Sequence, residues 1–408
     1  PGSGQIAGGA RLFFAAGRHS TLQRGQYNLT ANGERVFLNA VDFMLTQPRL
    51  KITFAGYDCP GTLTKIPLLV TLSTNTPGFA YSTFVQTNGF DLRAWNSNRT
   101  ERLNLEIDTW DTNGASHIWV QVPELVDSNT CIHLSWGLDH HTNQPAWATN
   151  GAVWSEGYEG VWHMNRTNAA DSSPFQRHAT VAGSVTGIAG RVGNGIDFPG
   201  VVGNYLNING YDGVLTTTNR SVSLWVRHTK DNANMVQWGN GNVTGGRWTL
   251  RGQANTGTNG AIRVDIEAGL VVHDKDIRDN QWHHAAVTWA NDGSPNINDT
   301  LLYVDGIAGE SVTTDRALYT TNGHDVRFGF SSGSASIYDG DMDEVRISSV
   351  ARSSNWVWAV YRNMASNQVF NRVESLEVAP RIIPGIDAIR TNAADVTAVI
   401  EGICHAFD

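Results

Sequence analysis

Asp139-His140-His141, His163 and His178 bring four imidazoles and a carboxylate into one short stretch of this chain. Neutral imidazole and carboxylate are the ligands that Zn²⁺ and similar ions take. A bound ion of that kind lowers the pKa of its water, which can then attack a phosphoester, ester or glycoside bond. His140, His163 and His178 are therefore candidate catalytic residues of a metal-dependent hydrolase, although their spacing matches no recognised motif; the competing account is a hydrogen-bonded structural pair of His163 and His178. A second chemistry is sugar stacking, since the chain has 14 tryptophans. Trp238 and Trp248 flank a Gly- and Asn-rich loop carrying Asn240 and Asn242. Ring faces would stack on a sugar while the amides meet its hydroxyls. Trp225, Trp282 and Trp289 sit in alternating strands and read as core.

Composition removes several functions. With 38 acidic against 29 basic residues, a net charge of -9 and no basic stripe, nucleic acid is repelled. No apolar run reaches the roughly 18 residues that span a bilayer, so membrane insertion is not expected. Cys59, Cys131 and Cys404 lack metal-type spacing, and Cys59 with Cys131 could bridge only in an exported protein. No phosphate-binding loop, dinucleotide fingerprint or nucleophile elbow is present. Few lysines with many Asn and Thr lean towards a secreted or cell-surface protein, bacterial in character.

The elements that must position these residues are mostly strands. Leu50 to Phe54, Ile66 to Leu72, His117 to Pro123 and Ser221 to Arg227 alternate apolar and polar residues at period two. His283 to Trp289 and Leu301 to Val304, the latter closed by Asp305-Gly306, read as a hairpin-like pair. Ser353 or Ser354 would cap a short helix carrying Trp356, Val360 and Met364. Before all of these lie one strand over 10–17 and an amphipathic helix over 32–45. The expected fold is all-β, in four parts: a small N-terminal α/β remnant (1–47), a first sandwich (48–157), a second sandwich (158–371) and a partial C-terminal β segment (372–408).

The wording of the two sandwiches resembles known families. Phe90-Asp91-Leu92-Arg93, Glu106-Ile107-Asp108-Thr109-Trp110-Asp111 and Ile118-Trp119-Val120-Gln121-Val122-Pro123 resemble domain-of-unknown-function family 2341. Trp282 to Trp289 and Leu302-Tyr303-Val304-Asp305-Gly306 resemble the laminin-G-like branch of the concanavalin-type lectin sandwiches, as do Trp162-His163-Met164-Asn165 and Asp171-Ser172-Ser173-Pro174. Arg166 departs from that pattern, where relatives carry an acid. The N-terminal piece resembles the closing strand and helix of flavodoxin-like, amidotransferase-related domains.

The lectin resemblance implies a jelly roll that binds a glycan or polysaccharide. It also implies a structural calcium held where the Asp171 loop meets the last strand, with Asp343 and Asp341 as ligands. Glu106, Asp108 and Asp111 mimic the paired-acid strand of the family 16 glucanases, but on a regular strand Asp111 faces away from the other two. The reading is thus a carbohydrate-binding or adhesion fragment of a large exported protein, accompanied by further domains of the same parent chain. The alternative is the hydrolase with zinc or another divalent metal at the junction of the sandwiches.

Overall fold

A computed structural model describes residues 48–137, 143–165, 167, 169–331 and 333–375. The expected N-terminal strand and helix, Asp139, His140, His141, Arg166, Cys404 and the segment after Ser375 lie outside the described residues. Within them the chain is built from antiparallel strands in four sheets.

The first sandwich packs a three-stranded sheet against a five-stranded one. Leu63–Ser73 and Ala115–Leu125 pair from Leu63 opposite Leu125 to Ser73 opposite Ala115, and Leu105–Thr109 joins the far edge of the latter. The facing sheet runs Arg372–Ser375, Arg49–Thr53, Cys131–Ser135, Arg93–Trp95, Arg102–Leu103. Period-two alternation sends Leu50, Ile52, Ile132 and Leu134 from one sheet, and Leu68, Val70, Ile118 and Val120 from the other, into a common core. Arg372–Ser375, the described part of the expected C-terminal segment, thus supplies an edge strand to the first sandwich, with Ile52 opposite Val373. Cys59 and Cys131 are free thiols, so no bridge joins them.

The second sandwich consists of two eight-stranded sheets. The inner sheet centres on Asp339–Ser348, flanked by Arg220–His228 and Asn194–Pro199 and edged by Tyr158–Trp162. His283–Trp289 pairs with Thr300–Val304 as the sequence implies, and Asp305-Gly306 (φ +52° and +75°) then turns tightly into Ile307–Ala308. The outer sheet runs Val312–Thr314, Leu270–Asp276, Ala261–Asp265, Arg247–Gly252, Asn234–Gly239, Val326–Phe328, Tyr205–Ile208, Thr180–Ala182. Val222, Leu224 and Val226 enter the core between these sheets, whereas Trp225 points away into the core of the first sandwich.

That reversal explains how the sandwiches hold together. Trp225 meets the helix Ser354–Ala365, whose Trp356, Ala359, Val360 and Met364 belong to the first sandwich's core. Ser353 caps the helix, its hydroxyl oxygen accepting the Trp356 amide at 3.2 Å. Fully buried Asn363 accepts the Leu69 amide at 2.6 Å and donates to the Leu69 carbonyl at 3.0 Å, tying the helix to Leu63–Ser73. Among the described residues no helix is long and apolar enough to cross a membrane.

Candidate functional site

Two places on this frame concentrate chemistry. The first lies where the sandwiches meet. Glu106 and Asp108, two apart on Leu105–Thr109, share one face of their strand. Opposite them, Asp339–Ser348 carries a bulge at Glu344, whose φ is +52°. Met342 and Val345 both point into the second sandwich's core, so the extra residue leaves Asp343 and Glu344 together off that core. His163, just past Tyr158–Trp162, fills the space between the two strands. Its Nδ1 stands 2.8 Å from Glu344 Oε1 and its Nε2 3.7 Å from Glu106 Oε2.

Neighbours hold these acids in place. Arg346 donates to Glu344 Oε2 at 2.7 Å, and its guanidinium lies 4.3 Å from the Trp119 ring centre. Trp154 Nε1 and Ser172 Oγ each donate to Glu106 at 2.6 Å, and Asn165 Nδ2 donates to Asp108 Oδ1. Asp108 Oδ2, His163 Nε2 and Asp343 Oδ1 are buried without a hydrogen-bond partner.

The electrostatics follow from this crowding. Burial lifts the Asp108 carboxyl to about 8, with Glu344 and Glu106 adding to the rise and His163 and Arg346 opposing it. Burial works against a charged His163, but the Glu344 and Asp108 charges outweigh it and raise that imidazole well above its ordinary value. Burial also works against ionised Glu344, yet His163 and Arg346 bring it down to about 2. A protonated acid beside an imidazolium is proton-handling chemistry, and once both protons have left the same groups suit a cation.

The second place is the outward side of the outer sheet. Leu206, Phe328, Trp238, Trp248 and Val264 face the core, so their strand neighbours face out. Asn207, Arg327, Gln237, Thr249 and Asp265 then stand directly opposite one another across five strands. A second row sets Asn234 opposite Arg251 and Arg251 opposite Arg263. Several groups on this face are nonetheless buried: Thr249 is 2% exposed, Asp265 5% and Asn234 9%. Arg247 donates to Asp265 at 2.6 Å, and Arg327 donates to Asn207 at 3.0 Å while lying 4.4 Å from the Phe330 ring centre. Burial opposes an ionised Asp265, but Arg247 and Arg263 win and lower its pKa. Asn234 Oδ1, Thr249 Oγ1 and the Nε atoms of Arg247, Arg251 and Arg263 are buried with no partner.

Of the residues expected from the sequence, His163, Glu106 and Asp108 meet at the junction and the others fall elsewhere. Trp238 and Trp248 are core, 1% and 0% exposed and stacked on each other at 6.0 Å, so no sugar reaches their faces. The inward phase of their strands dictates this. Asn240 turns its side-chain oxygen back to the Asn242 amide at 2.9 Å, while Asn242 itself is exposed.

The expected calcium ligands do not fit a shared ion. Asp171 accepts four hydrogen bonds, from the amides of Val161, Ser173 and Arg177 and the Ser173 hydroxyl. Asp341 is taken by Arg227 at 2.5 Å, and Asp343 by the amides of Arg191 and Val192 at 2.7 and 2.8 Å. Among the described residues, the group whose ligand atoms close within 4.8 Å is Asp108, His163 and Glu344. His178 accepts the Asp171 amide at 3.0 Å and makes no pair with His163. Asp111 turns away from Glu106 into its own loop, accepting the Asn113 amide. Glu344 and Arg346 escaped sequence reading, because the bulge that turns Glu344 toward the junction is seen only in the strand register. The outward row also escaped it, although Arg, Thr, Arg and Asp repeat at alternate positions over 247–265.

Comparison with known proteins bears on the second sandwich. Residues 200–357 match the profile of the concanavalin A-like lectin/glucanases superfamily. That stretch is a concanavalin A-like lectin/glucanase domain. No curated protein matches the chain. Among solved structures it is similar to domain 4 of AbnA, a GH43 extracellular arabinanase from Geobacillus stearothermophilus, in complex with arabinotriose. That match has 16% identity over 50% of this chain and 98% of that one, with a TM-score of 0.40. The binding domain of Paraclostridial mosquitocidal protein 1 matches at 14% identity, over 51% of this chain and 52% of that one, with a TM-score of 0.39. The receptor binding domain of botulinum neurotoxin type G matches at 12% identity, over 51% of each chain, with a TM-score of 0.35.

Proposed function

We propose that this chain is a glycan-binding piece of an exported or cell-surface protein, and that the oligosaccharide or polysaccharide lies across the outer face of the lectin-like domain. One observation carries the reading: a row of amide, hydroxyl and guanidinium groups crosses five strands with several buried donors and acceptors unspent. Sugar hydroxyls both donate and accept, so a glycan would satisfy such groups, which otherwise cost about 1–3 kcal/mol each when left unpaired. Tyr205 and Phe330, edge to face at 4.8 Å, border the row and add aromatic surface. The kinship of residues 200–357 with a superfamily named for lectins and glucanases supports the reading. We read the first sandwich as the 2341-type module its wording resembles, fixed rigidly beside the binding domain.

A glycan array probed with the whole chain tests this. The double variant Gln237→Ala, Arg327→Ala should bind its best glycan at least about tenfold more weakly at unchanged Tm, from two lost hydrogen bonds. Wild-type protein that captures no glycan, or a double variant that binds as well as wild type, sinks the proposal. A second reading, hydrolysis at the junction, is favoured by protonated Asp108 beside charged His163. Turnover of an ester, phosphoester or glycoside that disappears in His163→Ala would support it.

A further inference from the structure

We infer that the junction cluster is a binding site for one divalent first-row cation, Zn²⁺ above all, held by Asp108, His163 and Glu344 with Glu106 beside them. The inference stands apart from glycan binding, since it uses none of the outer-sheet residues. Three observations carry it. The ligand atoms of Asp108, His163 and Glu344 lie within 4.8 Å of one another, close enough for one ion to reach all three. Asp108 Oδ2 and His163 Nε2 are both buried and both lack a partner, and His163 is only 4% exposed. Buried polar atoms without a partner are costly, and an ion that displaced their protons would satisfy both.

The third observation is charge. With an ion bound Asp108 is ionised and His163 neutral, so Glu106, Asp108 and Glu344 bring three negative charges against the one positive charge of Arg346, which is paired with Glu344. The sum of -2 is what a divalent ion cancels, and its binding displaces the protons that Asp108 and His163 otherwise hold. The surroundings match a built site rather than a surface accident. Trp119 and Trp154 wall the imidazole at ring distances of 5.8 and 5.4 Å, and Arg346 and Ser172 orient the acids from behind. Imidazole with two carboxylates is a borderline-to-hard donor set, which selects Zn²⁺ or Mn²⁺ over softer ions. The ligands come from both sandwiches, so the ion would pin the first module's Leu105–Thr109 to the second module's bulged strand.

The test is calorimetric titration of chelator-stripped whole chain with ZnCl₂, paired with thermal melts. Wild type should take up one equivalent and melt higher with the ion present, by linkage of binding to the folded state. Asp108→Asn keeps the shape and the Asn165 contact but removes a ligand charge, and should weaken uptake on the order of 100-fold. His163→Gln should abolish it. If His163→Gln does not fold, Asp108→Asn alone decides. Wild type with no stoichiometric uptake, or Asp108→Asn binding Zn²⁺ as tightly as wild type, overturns the inference.

Discussion

Trp238→Ala separates a core tryptophan from a ligand platform, and its cost can be worked from the structure. The ring is 1% exposed and packs on Trp248 at 6.0 Å, and the Cβ that Gly213 lacks would stand 2.4 Å from it. Gly213 has φ +76°, so glycine suits both the turn and the contact. A fully buried tryptophan removes roughly 150–250 Å² from water, worth about 4–6 kcal/mol at ~25 cal/mol per Å² as an upper bound. Measured core truncations of this kind cost about 3–5 kcal/mol. The lost Nε1–H bond adds little, because the Val214 carbonyl it serves at 3.1 Å also receives Arg220 at 2.8 Å. We therefore expect about 3–5 kcal/mol of destabilisation in urea unfolding, and a Tm lower by roughly 10 °C for a unit of this size. A variant within ~1 kcal/mol of wild type that loses glycan binding would refute the core assignment and restore Trp238 as a stacking surface.

Further outcomes follow from the buried polar groups. Burial depresses His228 to about 4 and His284 to about 3, so between about pH 6.5 and 4 the unfolded chain takes up protons on both rings while the folded chain does not. Stability therefore falls as the solution is acidified, by roughly 3 kcal/mol from His228 alone at pH 4. Melts across pH 4–7 should show that slope, and His228→Gln should flatten it. Asn363→Ala leaves the Leu69 amide without the Asn363 oxygen, and should cost about 2–3 kcal/mol in equilibrium unfolding. If instead it changes stability by less than about 0.5 kcal/mol, the helix is not the tie between the sandwiches.

Much of the fold was legible because it rests on period-two alternation and turn chemistry. Ser221 to Arg227, His283 to Trp289 and the Asp305-Gly306 turn all form as read, and Ser353 caps the helix that buries Trp356, Val360 and Met364. The sites were less legible, since they depend on which strand phase faces inward. Trp238 and Trp248 border a polar loop in sequence but share the inward phase of their strands. Asp171 meets the lectin-type wording, yet its four hydrogen bonds serve its own loop and the neighbouring strand. Glu344 joins the junction because one bulge breaks the alternation, and its partners Glu106 and Asp108 lie more than 200 residues earlier in the chain. Pairings at that separation leave no local pattern to read.

The most direct test of the account is a crystal structure of the whole chain soaked with the oligosaccharide it binds best. Density for sugar across Asn207, Arg327, Gln237, Thr249 and Arg251 is the predicted result. Sugar seated on the Asn240–Asn242 loop, on the first sandwich or nowhere at all would contradict it.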